Sequence, residues 1–133
     1  MADPLITPQH SALLLIDYQP PQLSAITSMD PELMLRNAVS TVTAGNLSGV
    51  PILHSTVNVG TGRAGPTLPE LAQLLPDNPA VDRTTVNAWE DTEFVHAVRA
   101  TGRRKLVICA LWTEIWMALT ALDALRERYE VSP

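Results

Sequence analysis

The chain has 133 residues, of which 46% are hydrophobic and 17% are charged. That length fits one domain, because domains typically hold about 100–150 residues, and we predict a single domain over residues 1–133. Nine Lys and Arg residues against 14 Asp and Glu residues give a net charge of -5. This charge argues against an electrostatic nucleic-acid or anionic-membrane binder and favours small molecules or other protein chains as partners.

Membrane and export signals are not recognisable in the sequence. Apolar stretches such as residues 12–16 are far shorter than the roughly 20 residues of a spanning helix. Pro4 and Pro8 interrupt the first residues, where a signal peptide needs an uninterrupted apolar run. We therefore expect a soluble, cytoplasmic protein.

The chain opens with a predicted strand and a predicted helix. Residues 11–17 read SALLLID, a short apolar run typical of a buried parallel strand, and the proline pair at 20–21 prevents its continuation. A helix is predicted from Pro31 to residue 47, with Asp30 as its N-cap and Gly49 just beyond its end.

Strands and helices then alternate to the end of the chain. The further predicted elements are a strand at 50–57, a loop at 60–69, a short helix at 69–75, a strand at 81–86, a helix at 90–101 closed by Gly102, a strand at 105–111, a helix at 113–128 with Thr113 as N-cap, and the beginning of a strand at 129–133. This alternation predicts an α/β fold with a mainly parallel sheet covered on both faces.

Ligands of open α/β sheets bind beyond the carboxyl ends of the strands, so polar residues there are the first candidates. Asp17 is the leading one, since a carboxylate ending a buried strand is desolvated and needs a partner. A structural cap or ion pair explains Asp17 equally well. The other candidates are the loop 58–65, Arg83 with Asn87, and the pair at 113–114.

Residues 60–65 spell GxGxxG, the pattern of dinucleotide-binding loops. That pattern requires a helix opening on the loop after the first strand, whereas here Pro66 follows at once and the loop comes after the second strand. We interpret the segment as a flexible active-site or interface loop.

Metal and cofactor motifs are also missing. His10, His54 and His96 are scattered without acidic residues at ligand spacing, so a structural or surface role is favoured for each. Cys109, the one cysteine, excludes an internal disulfide and a cysteine-rich zinc module, and within KLVICAL it is best interpreted as a small apolar filler. We expect no metal and no cofactor.

The three tryptophans, Trp89, Trp112 and Trp116, lie at strand ends or helix beginnings. Large core or interface residues are one interpretation, and the lining of a pocket at the ligand edge is the other.

Four segments taken together carry a resemblance over nearly the whole chain. They read ALLLIDYQ, HSTVNVGTGRAGPTLPEL, RTTVNAWED and ATGRRKLVICALWTEIWMALTALDALRERYEV. In this order they resemble the isochorismatase-like cysteine hydrolase superfamily, especially its YcaC-like branch. The resemblance implies a Rossmann-like three-layer α/β/α sandwich and hydrolysis of amides, imides or an enol ether.

The resemblance also implies roles for particular residues. Asp17 matches the family's general base, and Arg83 matches the lysine or arginine of its catalytic set. The bond between Trp112 and Thr113 matches a cis peptide that helps aim backbone N–H groups into an oxyanion hole. Arg83 stands before Asn87-Ala88-Trp89 as the family's basic residue stands before its own small-residue and aromatic pair, and Asn87 and Trp89 are expected in the pocket.

The sequence departs from the family at the nucleophile. The family helix opens T-E-x-C, where the helix dipole lowers the pKa of the thiol, but this chain has Trp116 at the cysteine position. An indole neither attacks a carbonyl nor carries an acyl group. Cys109 lies seven residues earlier on the preceding strand, too deep to replace the missing thiol.

A second departure is length. Relatives continue through the fifth strand, a sixth strand and two helices, whereas this sequence stops at Pro133, so we expect the sheet to be truncated after the start of its fifth strand. Met117, Leu122 and Leu125 are then expected to be exposed, and association in a homo-oligomer is one way to cover them.

Three hypotheses for function stay open. The first is a hydrolase of a small amide that uses water activated by Asp17, with Arg83 as electrostatic partner and backbone amides near 113–116 as oxyanion donors. The second is a non-catalytic small-molecule binder or structural subunit in which Trp116 fills the substrate space. The third is an altered or shortened version of an active hydrolase.

Overall fold

The computed structural model describes residues 4–133. Its strands are β1 Ser11–Ile16, β2 Ile52–Val57, β3 Val81–Arg83, β4 Lys105–Ala110 and β5 Glu130–Ser132. Its α-helices are α1 Pro20–Ser24, α2 Pro31–Leu47, α3 Pro69–Ala72, α4 Thr92–Ala100 and α5 Ala118–Arg126. A 3₁₀ turn at Ala88–Glu90 precedes α4, and a π-helical turn at Thr113–Met117 precedes α5. No helix in the described range is long and apolar enough to cross a membrane.

All five strands are parallel, in the order β3-β2-β1-β4-β5. The central strand β1 pairs with β2 on one side and with β4 on the other, where Ser11 faces Lys105 and Ile16 faces Ala110. The chain order reverses between β1 and β4, so this is the point where open α/β sheets form their binding crevice.

The side chains of β1 alternate between two apolar cores. Ala12, Leu14 and Ile16 pack with α4 and α5, whereas Leu13 and Leu15 pack with α2 and α3. Because both faces of the strand are covered, the run is apolar throughout, as parallel central strands require. The predicted three-layer α/β/α sandwich is confirmed.

Several helix signals are confirmed in detail. The Asp30 carboxylate accepts the Glu32 N–H at 3.0 Å, with Pro31 in the first turn of α2. Gly102 follows Thr101, the C-cap of α4, and has φ +67°, a left-handed conformation that costs glycine little. The proline pair after β1 ends the strand but also opens α1, a helix that the sequence reasoning did not predict.

Two predicted helices begin differently from expectation. Asp91, not residue 90, caps α4, since its carboxylate accepts the Phe94 N–H at 2.8 Å. The helix expected from Thr113 starts as the π-helical turn, and its N-cap is Trp112, whose side chain makes no capping bond. One extra residue in that turn moves the following side chains around the helix axis relative to an α-helix.

The exposure expected for the last helix is correct only in part. Met117 is buried in the core with α4, whereas Leu122 and Leu125 are about half exposed, together with Leu119. The three leucines form an apolar stripe on the outer face of α5. The π-helical turn carries Met117 inward, which a continuous α-helix from Thr113 does not predict.

Candidate active site

Asp17 follows β1 directly and adopts φ +59°, a left-handed conformation that is uncommon for residues other than glycine and tolerated best by Asn and Asp. Its N–H donates to the Ser55 carbonyl at 3.0 Å, which ties the end of β1 to β2. The turn directs the chain out of the sheet and leaves the carboxylate at the carboxyl edge.

Arg83, the last residue of β3, forms a two-pronged ion pair with Asp17. Its Nη1 lies 2.6 Å from Asp17 Oδ1, and its Nη2 lies 2.7 Å from Oδ2. Both side chains have no exposed surface. The sequence analysis expects Arg83 to be the electrostatic partner of Asp17, and the two side chains meet across β2.

The rest of the guanidinium is held by the strands around it. Arg83 Nη1 also donates to Ser55 Oγ at 2.8 Å and to the Thr56 carbonyl at 3.1 Å, and Nη2 donates to the Val86 carbonyl at 3.1 Å. Nε is buried without a partner. Burial raises the pKa of the Asp17 carboxyl, and the Arg83 guanidinium opposes that rise without cancelling it.

Gln19, which the sequence reasoning missed, is fully buried beside this edge. Its Nε2 donates to the carbonyls of Val57 at 3.1 Å and Gly65 at 2.8 Å, and its Oε1 accepts the Val57 N–H at 2.9 Å. This one side chain fixes the end of β2 and the far end of the glycine-containing loop. A buried amide next to two prolines gives no sequence signal that distinguishes it from a surface glutamine.

The loop 58–65 is anchored rather than free. Asp82 accepts the N–H groups of Val59 at 3.1 Å and Gly60 at 2.8 Å, and also the Thr56 hydroxyl at 2.9 Å. Burial, the largest single effect, raises the pKa of the Asp82 carboxyl, but these hydrogen bonds together outweigh it and lower the pKa below its ordinary value. No helix opens on the loop, so the dinucleotide-binding interpretation stays rejected.

Trp112 and Trp116 stack on each other at the carboxyl end of β4, with ring centroids 4.5 Å apart and planes 25° apart. Trp112 Nε1 donates to the Gln22 carbonyl at 3.1 Å, which joins the turn to α1. Trp116 is buried, and its Nε1 has no hydrogen-bond partner within residues 4–133.

The cis peptide expected before Thr113 is not present, because all peptide bonds of residues 4–133 are trans. Trp112 instead has an extended backbone, and its carbonyl accepts the N–H groups of Ile115 at 3.2 Å and Trp116 at 3.0 Å. Two of the 113–116 amides expected as oxyanion donors, those of Ile115 and Trp116, are thus occupied by the turn itself.

A cleft of about 240 Å³ opens beside the two tryptophans. Its lining is Pro21, Gln22, Val57, Asn58, Thr84, Val86, Trp112 and Trp116. Gln22 Oε1, like Trp116 Nε1, is buried and has no partner among residues 4–133. The cleft thus has aromatic walls, and two of its lining residues each carry a buried, unpaired polar atom.

Asn87 and Trp89, the residues expected in the pocket, lie outside the lining of this cleft. Asn87 Nδ2 donates to Asp123 at 2.7 Å, and its Oδ1 accepts the Trp89 N–H at 3.0 Å. Trp89 Nε1 donates to Glu127 at 3.1 Å, and its ring meets the edge of Tyr129. Both side chains connect the 3₁₀ turn to α5 and the segment after it.

His54 and Cys109, two further residues considered in the sequence analysis, pack within the fold. His54 is buried, with Nε2 toward the Asn78 carbonyl and Nδ1 toward the Thr67 hydroxyl, and burial lowers its pKa. Cys109 is half-buried on β4 against the α2 core, and burial raises the pKa of its thiol. Within the described range no group of three His, Cys, Asp or Glu residues is placed to hold a metal ion.

Known proteins are similar to this chain in sequence and in architecture. The model of the isochorismatase domain matches residues 11–132. The probable hydrolase YcaC of Escherichia coli K12 is 34% identical over 122 residues, which cover 91% of this chain and 58% of that protein.

Two solved structures are similar over almost the whole chain. The YcaC gene product of E. coli, an octameric hydrolase of unknown specificity, superposes with a TM-score of 0.90 at 31% identity, covering 98% of this chain and 64% of that one. YcaC of Pseudomonas aeruginosa, bound to hexane-2,5-diol and covalent acrylamide, gives 0.88 at 28% identity, covering 98% and 65%. The chain spans less than two thirds of the length of these relatives.

The domain match, the YcaC sequence identity and the structural similarity agree with the resemblance carried by the ALLLIDYQ and LWTEIW segments. The chain belongs to the isochorismatase family, in its YcaC-like branch.

Proposed function

We propose that this chain descends from hydrolases of a small amide, or of a related C–N or enol-ether bond, and has lost or greatly weakened that activity. The observation that carries the proposal is that Trp116, at the position where the resemblance implies the family's thiol, packs against Trp112 in the core. Cys109, on β4, faces the opposite core.

The state of the remaining pair supports the same proposal. A general base needs a free oxygen within reach of a water molecule, but both Asp17 oxygens bind Arg83 and neither side chain has exposed surface. Loss of a covalent nucleophile alone commonly lowers turnover by several orders of magnitude. Water attack assisted by Asp17 is therefore a poor substitute in this arrangement.

A non-catalytic role in binding a small molecule is the second candidate, and the cleft beside Trp112 favours it. The stacked indoles of Trp112 and Trp116 form an apolar wall of the cleft against which a flat ligand can pack. A structural subunit without a ligand is the remaining form of this candidate.

Acrylamide labelling tests the loss of the nucleophile, since the Pseudomonas relative holds acrylamide covalently. In a Cys109→Ala background, we expect intact-mass analysis to find no adduct on the chain, and one adduct after Trp116→Cys is added. Trp116→Ala in the same background is the matched control, because it opens the same space without a thiol.

Ammonia release from a panel of small amides completes the test. The parent chain is expected to match the buffer blank. Activity gained by Trp116→Cys but not by Trp116→Ala would identify a latent site plugged by the indole. Amide hydrolysis by the parent chain itself, above the blank and abolished by Asp17→Asn, would overturn the proposal.

We also propose that the chain forms homo-oligomers through the apolar stripe of α5. The stripe of Leu119, Leu122 and Leu125 is exposed, and the E. coli relative is octameric. Apolar patches of this kind commonly mark protein interfaces.

Light scattering after gel filtration measures the association. The parent chain is expected at a multiple of its 14.5 kDa mass, and the double variant Leu122→Glu/Leu125→Glu at or near one copy, because two charges in an interface are costly. Leu47→Glu, at an exposed leucine outside the stripe, should leave the mass unchanged. A parent chain at 14.5 kDa would contradict self-association.

A further inference from the structure

Basic residues are concentrated in one part of this acidic protein. Six of the nine Lys and Arg residues fall between positions 99 and 128, against three of the 14 acidic residues. The six are Arg99, Arg103, Arg104, Lys105, Arg126 and Arg128. In the fold they gather at the amino ends of β4 and β5 and at the ends of the helices that lead into those strands.

A cleft of about 290 Å³ lies within this basic region. Its lining is Arg99, Gly102, Arg103, Arg104, Glu127 and Tyr129. We name it the amino-edge cleft. Three of its six lining residues are arginines, and only one is acidic.

Arg103 is the unsatisfied member of this group. Its guanidinium makes no ion pair or hydrogen bond with residues 4–133, and its Nε is buried. A buried donor without a partner is costly, more so when it is charged. The two Nη groups, which also have no partner among residues 4–133, are therefore the N–H donors that Arg103 offers to an anion that enters the cleft.

The neighbouring side chains are held in place without using Arg103. The Arg104 guanidinium lies 5.0 Å from the centre of the Tyr129 ring, and its Nη2 donates to the Arg128 carbonyl at 2.8 Å. Arg99 binds Glu127 at 2.7 Å, and Glu127 also accepts the Trp89 Nε1–H. The single carboxylate of the cleft is thus already neutralised by Arg99.

From this arrangement we propose that the amino-edge cleft binds a small phosphate-bearing anion. Arg103 supplies a free planar fork, and Arg104 adds a second guanidinium fixed on Tyr129. Guanidinium forks match the oxygens of a phosphate and form short, charge-assisted hydrogen bonds with them. A phosphate group also offsets the repulsion among the arginines.

This site is separate from the candidate active site. The Asp17–Arg83 pair lies beyond the carboxyl ends of the strands, whereas Arg103 and Arg104 precede β4. A six-residue strand spans about 20 Å, so the two sites lie on opposite edges of the sheet. The proposal stands whether or not the chain hydrolyses amides.

Titration with inorganic phosphate and with pyrophosphate tests the proposal. Backbone ¹H–¹⁵N spectra are recorded at constant ionic strength, with sodium chloride balancing each addition. We expect saturable shifts at Gly102, Arg103 and Arg104. Arg103→Gln is expected to weaken pyrophosphate binding at least about tenfold, since it removes charge-assisted hydrogen bonds.

Two further variants keep the test decisive. Arg103→Lys retains the charge but not the fork, so intermediate affinity is expected. Arg36→Gln removes an exposed arginine of α2 and should bind pyrophosphate like the parent chain. The proposal is overturned if chloride alone produces the same shifts, if no shift saturates, or if Arg103→Gln and Arg36→Gln bind equally well.

Discussion

Replacement of Arg83 by Met is expected to lower the free energy of unfolding by about 3–5 kcal/mol, because it leaves the Asp17 carboxylate buried and unpaired. Both oxygens lose their guanidinium partner, and Ser55 Oγ loses its donor. Methionine fills much of the arginine stem but supplies no charge. Urea unfolding followed by circular dichroism measures the effect.

Two controls separate the ion pair from general effects of losing an arginine. Arg36→Met, at an exposed position of α2, should stay within about 0.5 kcal/mol of the parent. Asp17→Asn combined with Arg83→Met should recover part of the loss, since asparagine tolerates the left-handed backbone and carries no charge. If Arg83→Met were as mild as Arg36→Met, the pair would not stabilise the carboxyl edge.

The loss in the free energy of unfolding caused by Arg83→Met should also depend on pH, and it is expected to grow as the pH rises. Burial already raises the pKa of Asp17, and the variant removes the interactions with Arg83 that lower it. The folded variant then holds the Asp17 proton more tightly than the unfolded chain does. Its deficit relative to the parent is therefore smallest in acid, below the ordinary pKa of Asp, and grows as the pH rises.

Trp116→Ala is the second substitution with a large expected effect, a loss of about 3–5 kcal/mol in the free energy of unfolding. The ring is buried in the core with α4 and α5 and stacks on Trp112, so alanine leaves a cavity and an unsupported Trp112. Trp116→Phe is the informative control. It keeps an aromatic face for Trp112 and removes an N–H that has no partner.

The two tryptophan variants should therefore differ sharply in chemical denaturation. Trp116→Phe is expected to lower the free energy of unfolding by less than about 1.5 kcal/mol, because phenylalanine keeps an aromatic ring in the core and removes an unsatisfied donor. Equal losses for alanine and phenylalanine would show that Trp116 Nε1 has a partner in solution, and a small loss for alanine would show that the ring is not a core element.

Much of the fold was predictable because the strands and helices carry strong local signals. The apolar run of β1, the Asp30 cap and Gly102 each act within a few residues of the structure that they specify. The Asp17–Arg83 pairing was predictable in part, since both residues follow or end strands of one parallel sheet and meet at its carboxyl edge.

Other features depend on contacts between distant segments and carry no local signal. The π-helical turn before α5 reflects the seating of Trp116 and Met117 in the core, which the TEIWM run does not predict. Gln19 is buried because it bonds Val57 and Gly65, 38 and 46 residues away. Trp89 lies away from the cleft because its Nε1 donates to Glu127 and its ring packs against that of Tyr129.

The strand order has a consequence for how the chain acquires its structure. Of the two neighbours of the central strand β1, β2 begins 41 residues after the start of β1, at Ile52, whereas β4 begins 94 residues after it, at Lys105 opposite Ser11. During synthesis, β1 and β2 can pair long before β4 leaves the ribosome. Until then one edge of an apolar strand has unpaired N–H and C=O groups, which makes it a template for pairing with other chains. Slow translation between β3 and β4 should therefore favour aggregation over folding.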